Sequence, residues 1–224
     1  MVCILLFCSA CEKDKSSEGV SRVTSYPIME LIGDEFLTLP VGGTFNDPGV
    51  IATIGSQQIN PEVDGAVDVS TPGVYIITYS AANSDGFSAA IRRWVGVIDA
   101  AAVANDLTGM YQRTKYGTNT TPSGIATWTK VADGLYANGD IGGVGSATIG
   151  ATPGYAGPFY IFNVEGDDLI FPVQPNPLGG DVYALSESGD ERIPYTQGGA
   201  GTDSYTWSIR GSGYGTNPRT FTKQ

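Results

Sequence analysis

The sequence contains two acidic pairs, Asp167-Asp168 and Asp190-Glu191, whose carboxylates could act in glycoside hydrolysis. Glycosidases place two carboxyl groups about 5–10 Å apart across the bond that they cleave. Adjacent residues on a strand point to opposite faces of the sheet, so neither pair supplies two carboxylates on one side. Both pairs also stand next to glycine, which favours hairpin turns. Local geometry therefore predicts no carboxylate active site.

The sequence contains no histidine, and its cysteines are Cys3, Cys8 and Cys11. Without histidine, Ser-His-Asp and Cys-His catalytic sites and imidazole metal ligands are excluded. Beyond Cys11 there is no thiol, which excludes an internal disulfide, a cysteine-ligated zinc and thiolate chemistry there. The sequence therefore predicts a protein that is not an enzyme and that has no cofactor.

Aromatic residues in the C-terminal half are candidates for ligand binding, because flat rings stack on the faces of sugars. Trp128 and Trp207 lie in strand-like segments, where aromatic side chains are usually part of the core, and we favour that interpretation for them. Tyr155 and Tyr214 are surrounded by glycine and proline and are better candidates for exposed contacts. These four residues form the predicted ligand-binding set.

The chain has 12 Lys and Arg residues against 23 Asp and Glu, a net charge of −11. Nucleic acid binding requires clustered Lys and Arg and is therefore excluded. The acidic residues Asp47, Asp64, Asp68 and Asp85 raise the question of calcium, which takes about six to eight oxygen ligands. No loop here alternates acids as an EF-hand does, so we predict no metal site and expect Asp47 and Asp85 to brace turns.

The N-terminus is typical of an export signal. Residues 1–10 are apolar and end in small residues, too short a run to span a bilayer. Ser9-Ala10-Cys11 resembles the end of a bacterial lipobox, which implies a signal peptide over 1–10 and a lipid on Cys11. Residues 11–25 predict a flexible tether, and its charged start resembles the surface-export signal of Bacteroidetes lipoproteins. The resemblance implies attachment to the outer membrane or cell surface.

Residues 26–98 alternate short apolar runs with turn signals, which is typical of a β-sandwich. The predicted strands are residues 35–39, 50–54, 74–80 and 87–97. The segment resembles the bacterial Ig-like domain named after a pesticidal crystal protein and related to HYR repeats. The resemblance is carried by residues 46–50, 67–75, 78–81 and 83–86. It implies an Ig-like sandwich that serves as a spacer or adhesive module.

Residues 99–106 are helix-compatible and predict a linker, formed as one helical turn or as an extended segment. Residues 107–224 alternate at period two, which predicts an antiparallel β-barrel or a curled β-sandwich. The predicted strands are residues 109–114, 125–131, 134–136, 158–164, 168–173, 182–185 and 204–210. Residues 107–114, 128–136 and 205–209 resemble the C-terminal domains of Bacteroides surface lipoproteins, which have no assigned function. The fold class predicted for the whole chain is all-β.

Three functions are compatible with these observations. The first is a non-catalytic lipoprotein whose Ig-like spacer presents a C-terminal module to a ligand, for which a polysaccharide is favoured. The second is a structural or adhesive protein whose partner is another envelope protein. The third is a carboxylate-based glycoside hydrolase. An aromatic-lined open groove would favour the first, and a deep cleft with two facing carboxylates would favour the third.

Overall fold

The computed structural model describes residues 23–145, 157–177, 179–198, 201–211 and 213–224. Its composition is 3% helix and 52% strand, which confirms the predicted all-β class. Within these ranges no helix has the length and apolar character needed to cross a membrane. The fold consists of a first module, which is a sandwich, and a second module, which is a barrel.

The first module contains seven strands in two sheets. They are β1 (Pro27–Leu31), β2 (Phe36–Pro40), β3 (Val50–Ile54), β4 (Gln57–Ile59), β5 (Glu62–Asp64), β6 (Gly73–Ala82) and β7 (Ser88–Ile98). One sheet has the order β1-β3-β4 and the other β2-β7-β6-β5. All neighbours are antiparallel except β2, which runs parallel to β7. This arrangement agrees with the predicted sandwich and adds three strands, β1, β4 and β5.

The sandwich core forms where the apolar faces of the two sheets meet. Period-two alternation sends Ile77 and Tyr79 of β6 and Val95 of β7 into this core, and all three are buried. Met29 and Leu31 of β1 pack against them from the opposite sheet. The alternate residues of β7, including Trp94 and Ile98, point out of the sandwich toward the second module.

Arg93 is a buried cation in the first module, and its guanidinium ties together loops that flank the sandwich. Its Nη1 donates to the carbonyl oxygen of Asp34 at 2.8 Å. Its Nη2 donates to the carbonyls of Ile32 at 2.9 Å and Gly49 at 3.0 Å. The Nε atom lies 3.5 Å from Oδ1 of Asp47, which forms an ion pair. Because these contacts engage both terminal nitrogens of a side chain that is 0% exposed, Arg93 stabilises the fold instead of offering a charge to a ligand.

The linker forms a short helix, α1 (Ala100–Ala104), one of the two conformations expected from its sequence. Asp99 caps it, since the side-chain Oδ1 accepts from the backbone N–H of Ala102 at 2.6 Å. Ala102 is fully buried against the second module. The helix therefore packs as part of the folded unit.

The second module is a closed β-barrel, which decides between the two predicted architectures. Its strands are β8 (Gly109–Tyr116), β9 (Ile125–Ala132), β10 (Leu135–Asn138), β11 (Phe159–Glu165), β12 (Asp168–Ile170), β13 (Gln174–Pro175), β14 (Asp181–Leu185), β15 (Arg192–Thr196), β16 (Ser204–Gly211) and β17 (Arg219–Lys223). The order β16-β15-β12-β11-β10-β9-β8-β17 is closed by pairing of β17 with β16, while β14 and β13 extend from β16. Each of the seven strands predicted for this module is present, and β13, β15 and β17 are additional.

Large aromatic side chains fill the inside of the barrel. Tyr205 lies at the centre, with its ring centroid 5.1 Å from that of Trp128 and 4.6 Å from that of Trp207. Phe221 stacks on Tyr205 at 5.0 Å with an interplanar angle of 11°. Closely packed rings leave no room for a ligand along the barrel axis, so a binding site is expected on the outside.

The two modules share a hydrophobic interface. Trp94 and Ile98 of β7 pack against Leu135 of β10 and against Phe162 and Val164 of β11. Gly96 makes this close approach possible, because a Cβ atom there would lie 2.5 Å from Cδ1 of Phe162. An interface with this apolar content holds the modules in a fixed relation.

Candidate functional site

Trp128 and Trp207 lie in the barrel core, as the favoured interpretation of the sequence had it. Both are 0% exposed. The Nε1 atom of Trp128 donates to the hydroxyl of Tyr205 at 3.0 Å, and that of Trp207 donates to the carbonyl of Ile141 at 3.1 Å. Since neither ring face reaches the surface, these residues stabilise the barrel and are not available to a ligand.

Tyr214 requires a correction, because it is buried where exposure was predicted. It is 8% exposed and belongs to the barrel core cluster. Gly142 provides the space for its ring, since a Cβ atom on Gly142 would lie 3.2 Å from Cε1 of Tyr214. Glycine at position 142 therefore makes room for the ring of Tyr214 and not for a ligand. Tyr155 and Cys11, the remaining predicted residues, lie outside the described ranges.

Three of the four acidic residues that suggested a glycosidase accept hydrogen bonds from neighbouring side chains. Asp168 and Glu165 accept from Nη1 of Arg192 at 3.1 Å and 2.7 Å. Asp167 accepts from Nε2 of Gln197. Asp190 accepts from the hydroxyl of Ser188 at 2.5 Å within a turn. The carboxylates of Asp167, Asp168 and Asp190 are thus used in local structural contacts.

Asp47 and Asp68 brace turns of the first module through their carboxylates. Asp47 Oδ1 accepts from the backbone N–H of Gly49 at 3.1 Å and from the hydroxyl of Tyr79 at 2.6 Å. In the 83–87 turn the bracing residue is Asn83, whose Oδ1 accepts from the backbone N–H groups of Asp85 and Phe87 at 3.0 Å and 2.9 Å. No group of three His, Cys, Asp or Glu residues is arranged to hold a metal ion within the described ranges.

Asp68 illustrates the same bracing and gives a pH-dependent prediction. Its carboxylate accepts from the hydroxyl of Ser70 at 2.6 Å, the backbone N–H of Ser70 at 2.9 Å and the hydroxyl of Thr71 at 2.8 Å. These bonds lower the pKa of Asp68 below its ordinary value, with the Ser70 hydroxyl the largest cause. The stabilisation is therefore present above the pKa of the unfolded chain and is lost as the pH falls through the folded pKa.

We expect Ser70→Ala to raise the pKa of Asp68 toward its ordinary value, because the strongest of the three bonds is lost. A carboxyl carbon NMR titration of both proteins measures this shift. The Ser70 N–H and the Thr71 hydroxyl remain, so the pKa should stay somewhat below the ordinary value. An unchanged titration of Asp68 would contradict the assigned hydrogen bonds.

A groove of about 380 Å³ lies between the two modules and is the candidate site. We call it the intermodule groove. One wall is the edge strand β2 with the residues before it, and the other wall is the outer face of the barrel. Its lining residues are Asp34, Glu35, Phe36, Leu37, Thr38, Val131, Ala132, Leu135 and Tyr160.

Three aromatic rings are stacked beside this groove. Phe36 of β2 stacks on Trp94 with 4.9 Å between ring centroids and on Tyr160 of β11 with 4.2 Å. Trp94 is buried at the inner end of the stack, whereas Tyr160 is the partly exposed outer ring. The stack crosses the module boundary, so the fixed relation of the modules positions Tyr160 in the groove.

The residues that line the groove carry carboxylates, two hydroxyls and backbone polar groups. Partial desolvation by the neighbouring protein surface raises the pKa of Glu35 above its ordinary value. The backbone N–H of Trp94 donates to the carbonyl of Glu35 at 2.9 Å, so the carbonyl of Glu35 points toward β7. By strand alternation, the backbone N–H and C=O of Phe36 and Thr38 point away from β7 to the open edge. The groove therefore combines an aromatic wall with hydrogen-bonding groups.

The intermodule groove was not found from the sequence. Phe36 and Tyr160 both fell within predicted strands, and nothing in their immediate neighbours marked them as exposed. The available signal was the apolar run from Phe159 to Phe162, since a strand that is apolar at every position has both faces covered. That signal indicates a second packing surface on β11, and the groove lies at its margin.

The first module is similar in sequence to a known family. Residues 29–97 match the family model described as bacterial surface protein, Ig-like domain. A solved structure with some similarity is the lipoprotein BT2262 from Bacteroides thetaiotaomicron, with a TM-score of 0.38, 20% identity, and coverage of 88% of this chain and 100% of that chain. No curated protein matches this sequence. The family match thus coincides with the segment in which the sequence predicts an Ig-like sandwich.

Proposed function

We propose that this protein is a non-catalytic lipoprotein of the bacterial cell envelope, anchored through Cys11, that binds a glycan in the intermodule groove. The observation that carries the proposal is the partly exposed ring of Tyr160, held by the aromatic stack beside hydrogen-bonding groups. The match of residues 29–97 to an Ig-like domain of bacterial surface proteins supports the envelope location.

A glycan fits the chemistry of this groove. The C–H face of a sugar ring packs on an aromatic ring, and the partly exposed ring of Tyr160 lines the groove. The carboxylates of Asp34 and Glu35 accept hydrogen bonds from hydroxyls, and the hydroxyl of Thr38 both donates and accepts. A site that has one aromatic ring and is open to solvent binds weakly, which suits a surface protein that contacts a repeating polymer.

A non-catalytic role is supported by the position of the carboxylates. Asp34 and Glu35 are neighbours in the chain on the same wall of the groove. The opposite wall contributes Val131, Ala132, Leu135 and Tyr160, none of which is acidic. A glycosidase needs carboxyl groups on both sides of the scissile bond, and the groove lining does not supply the second side.

A protein partner is the second candidate, because β2 is an edge strand. Within the described ranges β2 pairs with β7 alone, so its other edge is open to the groove. Open strand edges accept extended peptides through backbone hydrogen bonds. Such a partner would depend on the backbone of β2 and little on the ring of Tyr160.

The test is glycan binding by the full chain in detergent, measured by calorimetry across a panel of polysaccharides. We expect binding in the micromolar to millimolar range, which corresponds to about 4–8 kcal/mol. Tyr160→Ala should weaken it by about tenfold or more, since each tenfold change is about 1.4 kcal/mol. Tyr160→Phe keeps the ring and should retain most of the affinity.

Tyr26→Ala is the matched control, because Tyr26 is also an exposed tyrosine and lies outside the groove. A thermal melt of each variant separates loss of binding from loss of fold. The same incubations should release no reducing ends. Equal loss of binding in Tyr26→Ala and Tyr160→Ala would contradict the groove, and glycan turnover abolished by Glu35→Gln would replace the binding function with an enzymatic one.

A further inference from the structure

The wall of the barrel formed by β9, β8, β17 and β16 is basic, although the chain as a whole is acidic. These four strands are neighbours in the sheet. Residues 107–132 and 204–224, which contain them, include six Lys and Arg residues and no Asp or Glu. The rest of the chain has six basic residues against 23 acidic ones. Charge is therefore segregated, and this side of the barrel attracts anions.

Three cations on this wall form no ion pair with any carboxylate that the structure describes. The cations that do form ion pairs are Arg92, Arg93, Lys130, Arg192 and Lys223. The unpaired ones are Arg113, Lys115 and Arg210. Arg113 donates to the carbonyl of Gly142 at 2.9 Å and Arg210 to that of Thr216 at 3.4 Å, and a carbonyl carries no net charge. Lys115 is exposed. The positive charges of these three side chains are therefore available to a ligand.

Tyr116, the last residue of β8, gathers two guanidinium groups. The Cζ atom of Arg113 lies 5.2 Å from the centroid of its ring, and that of Arg219 lies 4.9 Å from it. Such cation–π contacts orient a guanidinium without neutralising its charge. Lys115 directly precedes Tyr116 on the same strand. The end of β8 therefore concentrates positive charge at one place.

The connection between β16 and β17 brings Arg210 into this group. Within residues 215–217, the first and last carbonyls accept from Nη1 of Arg219 at 2.9 Å and 3.0 Å, and the middle carbonyl accepts from Nη1 of Arg210. Three consecutive residues thus contact both arginines. We call the surface of Arg113, Lys115 and Arg210 the basic face, and Arg219 is buried beside it.

Threonine hydroxyls accompany the cations on the same wall. The Oγ1 atoms of Thr206 and Thr220 lie 2.9 Å apart, and those of Thr114 and Thr222 lie 3.2 Å apart. All four residues are partly exposed. A hydroxyl both donates and accepts, so each pair keeps hydrogen-bonding capacity for a ligand. The wall therefore offers positive charges and hydroxyls together.

The basic face and the intermodule groove are at opposite ends of β9. Val131, near the end of β9, lines the groove. Ile125, the first residue of β9, pairs with Gln112, which directly precedes Arg113. Val131 is six positions after Ile125, so the two ends are about 20 Å apart at about 3.3 Å per residue. A ligand on the basic face therefore leaves the groove accessible.

The mixture of charges and hydroxyls favours one kind of anion. Duplex DNA carries a charge about every 1.7 Å of its axis, and three cations neutralise few of them, while the acidic remainder of the chain repels the rest. An acidic polypeptide brings carboxylates but few hydroxyls. Residues 12–22 of this chain contain three acidic and three basic residues, so they have no net charge to match the basic face. A polysaccharide with carboxylate or sulfate groups presents separated anions with hydroxyls between them.

We propose that the basic face binds an acidic polysaccharide. Arg113, Lys115 and Arg210 contact its carboxylate or sulfate groups, and the threonine hydroxyls contact its sugar hydroxyls. A guanidinium matches these planar or branched oxyanions because it donates two parallel hydrogen bonds. This site does not depend on the proposed function, and the carboxylates of Asp34 and Glu35 in the intermodule groove repel the same ligand.

Calorimetry of the full chain in detergent tests the basic face with four polymers: dextran sulfate, polygalacturonate, uncharged dextran and polyglutamate. We expect dextran sulfate or polygalacturonate to bind more tightly than the other two, and the tighter of them identifies the anionic group. Raising the salt concentration from about 0.05 M to about 0.5 M should weaken this binding by about tenfold, because exposed charges are screened. Tyr160→Ala should leave it unchanged, which separates this site from the intermodule groove.

Lys115→Gln should weaken binding about threefold, and Lys115→Gln with Arg210→Gln about tenfold, since each exposed charge contact contributes about fivefold at most. Lys130→Gln is the matched control, because it removes one charge from the same wall but Lys130 is paired with Asp133 at 2.9 Å. It should change the affinity less than about twofold. Thermal melts confirm that each variant is folded.

Three results would overturn the proposal. The first is equal loss of binding in Lys115→Gln and Lys130→Gln, or no binding of either acidic polysaccharide by the wild type. The second is binding of polyglutamate or duplex DNA as tight as that of the acidic polysaccharides, which would assign the surface to another class of polyanion. The third is a wild-type dimer that dissociates in the double variant, which would assign it to a second copy of the chain.

Discussion

Arg93→Met is expected to lower the free energy of unfolding by about 3–5 kcal/mol, the usual cost of breaking a buried charged network. Methionine has a similar length but donates no hydrogen bonds. The carbonyls of Ile32, Asp34 and Gly49 would each lose a charge-assisted bond, and Asp47 would lose its ion pair. Equilibrium unfolding in urea, followed by circular dichroism, measures the change.

Arg92→Met is the matched control, because Arg92 is the preceding residue on β7 and faces the other side of the sheet. Its side chain is 40% exposed and pairs with Asp181 at 3.1 Å. Exposed pairs contribute about 0–1 kcal/mol, so this variant should unfold close to the wild type. Similar losses in the two variants would show that Arg93 is not the buried connection described above.

Phe162→Ala is expected to cost about 3–5 kcal/mol and to separate the unfolding of the two modules. Phe162 is 0% exposed and fills the space that Gly96 leaves open in the interface. The wild type should show one cooperative transition in calorimetry, because the shared core couples the modules. The variant should show two transitions or one broadened transition.

Phe87→Ala controls for the loss of a phenylalanine, since Phe87 is 46% exposed and belongs to neither core. It should unfold in one transition at nearly the temperature of the wild type. Two transitions in the wild type itself would show that the interface does not couple the modules. In that case the aromatic stack would not hold Tyr160 in a fixed position.

The strands predicted from the sequence are those with apolar alternation and clear turns, and the missed ones lack one of these signals. β15 contains Pro194, which argues against a central strand because proline cannot donate to the ladder. The sequence of β17 is polar except for Phe221, so it does not show apolar alternation. In the structure Arg219 is only 3% exposed and donates to the carbonyls of Gly215 and Asn217. A buried arginine is not distinguishable from a surface one in a single sequence.

The candidate site was less accessible to sequence reasoning than the fold. Glycine-rich surroundings indicated an exposed ring for Tyr214, yet the space beside Gly142 is filled by that same ring. Tyr160 and Phe36 are separated by more than 120 positions in the chain and meet because Gly96 lets the modules approach. The contacts that create the groove are therefore long-range, and no local pattern contains them.

Isotope-edited NMR of the full chain with the tightest-binding glycan tests the intermodule groove most directly. We predict that the amide chemical shifts of Phe36, Thr38 and Tyr160 move in a saturable manner as the glycan is added, while those of Ile28 and Phe87 stay unchanged. Shifts confined to the outer face of the β1-β3-β4 sheet, or to the barrel residues around Tyr214, would contradict the proposed site.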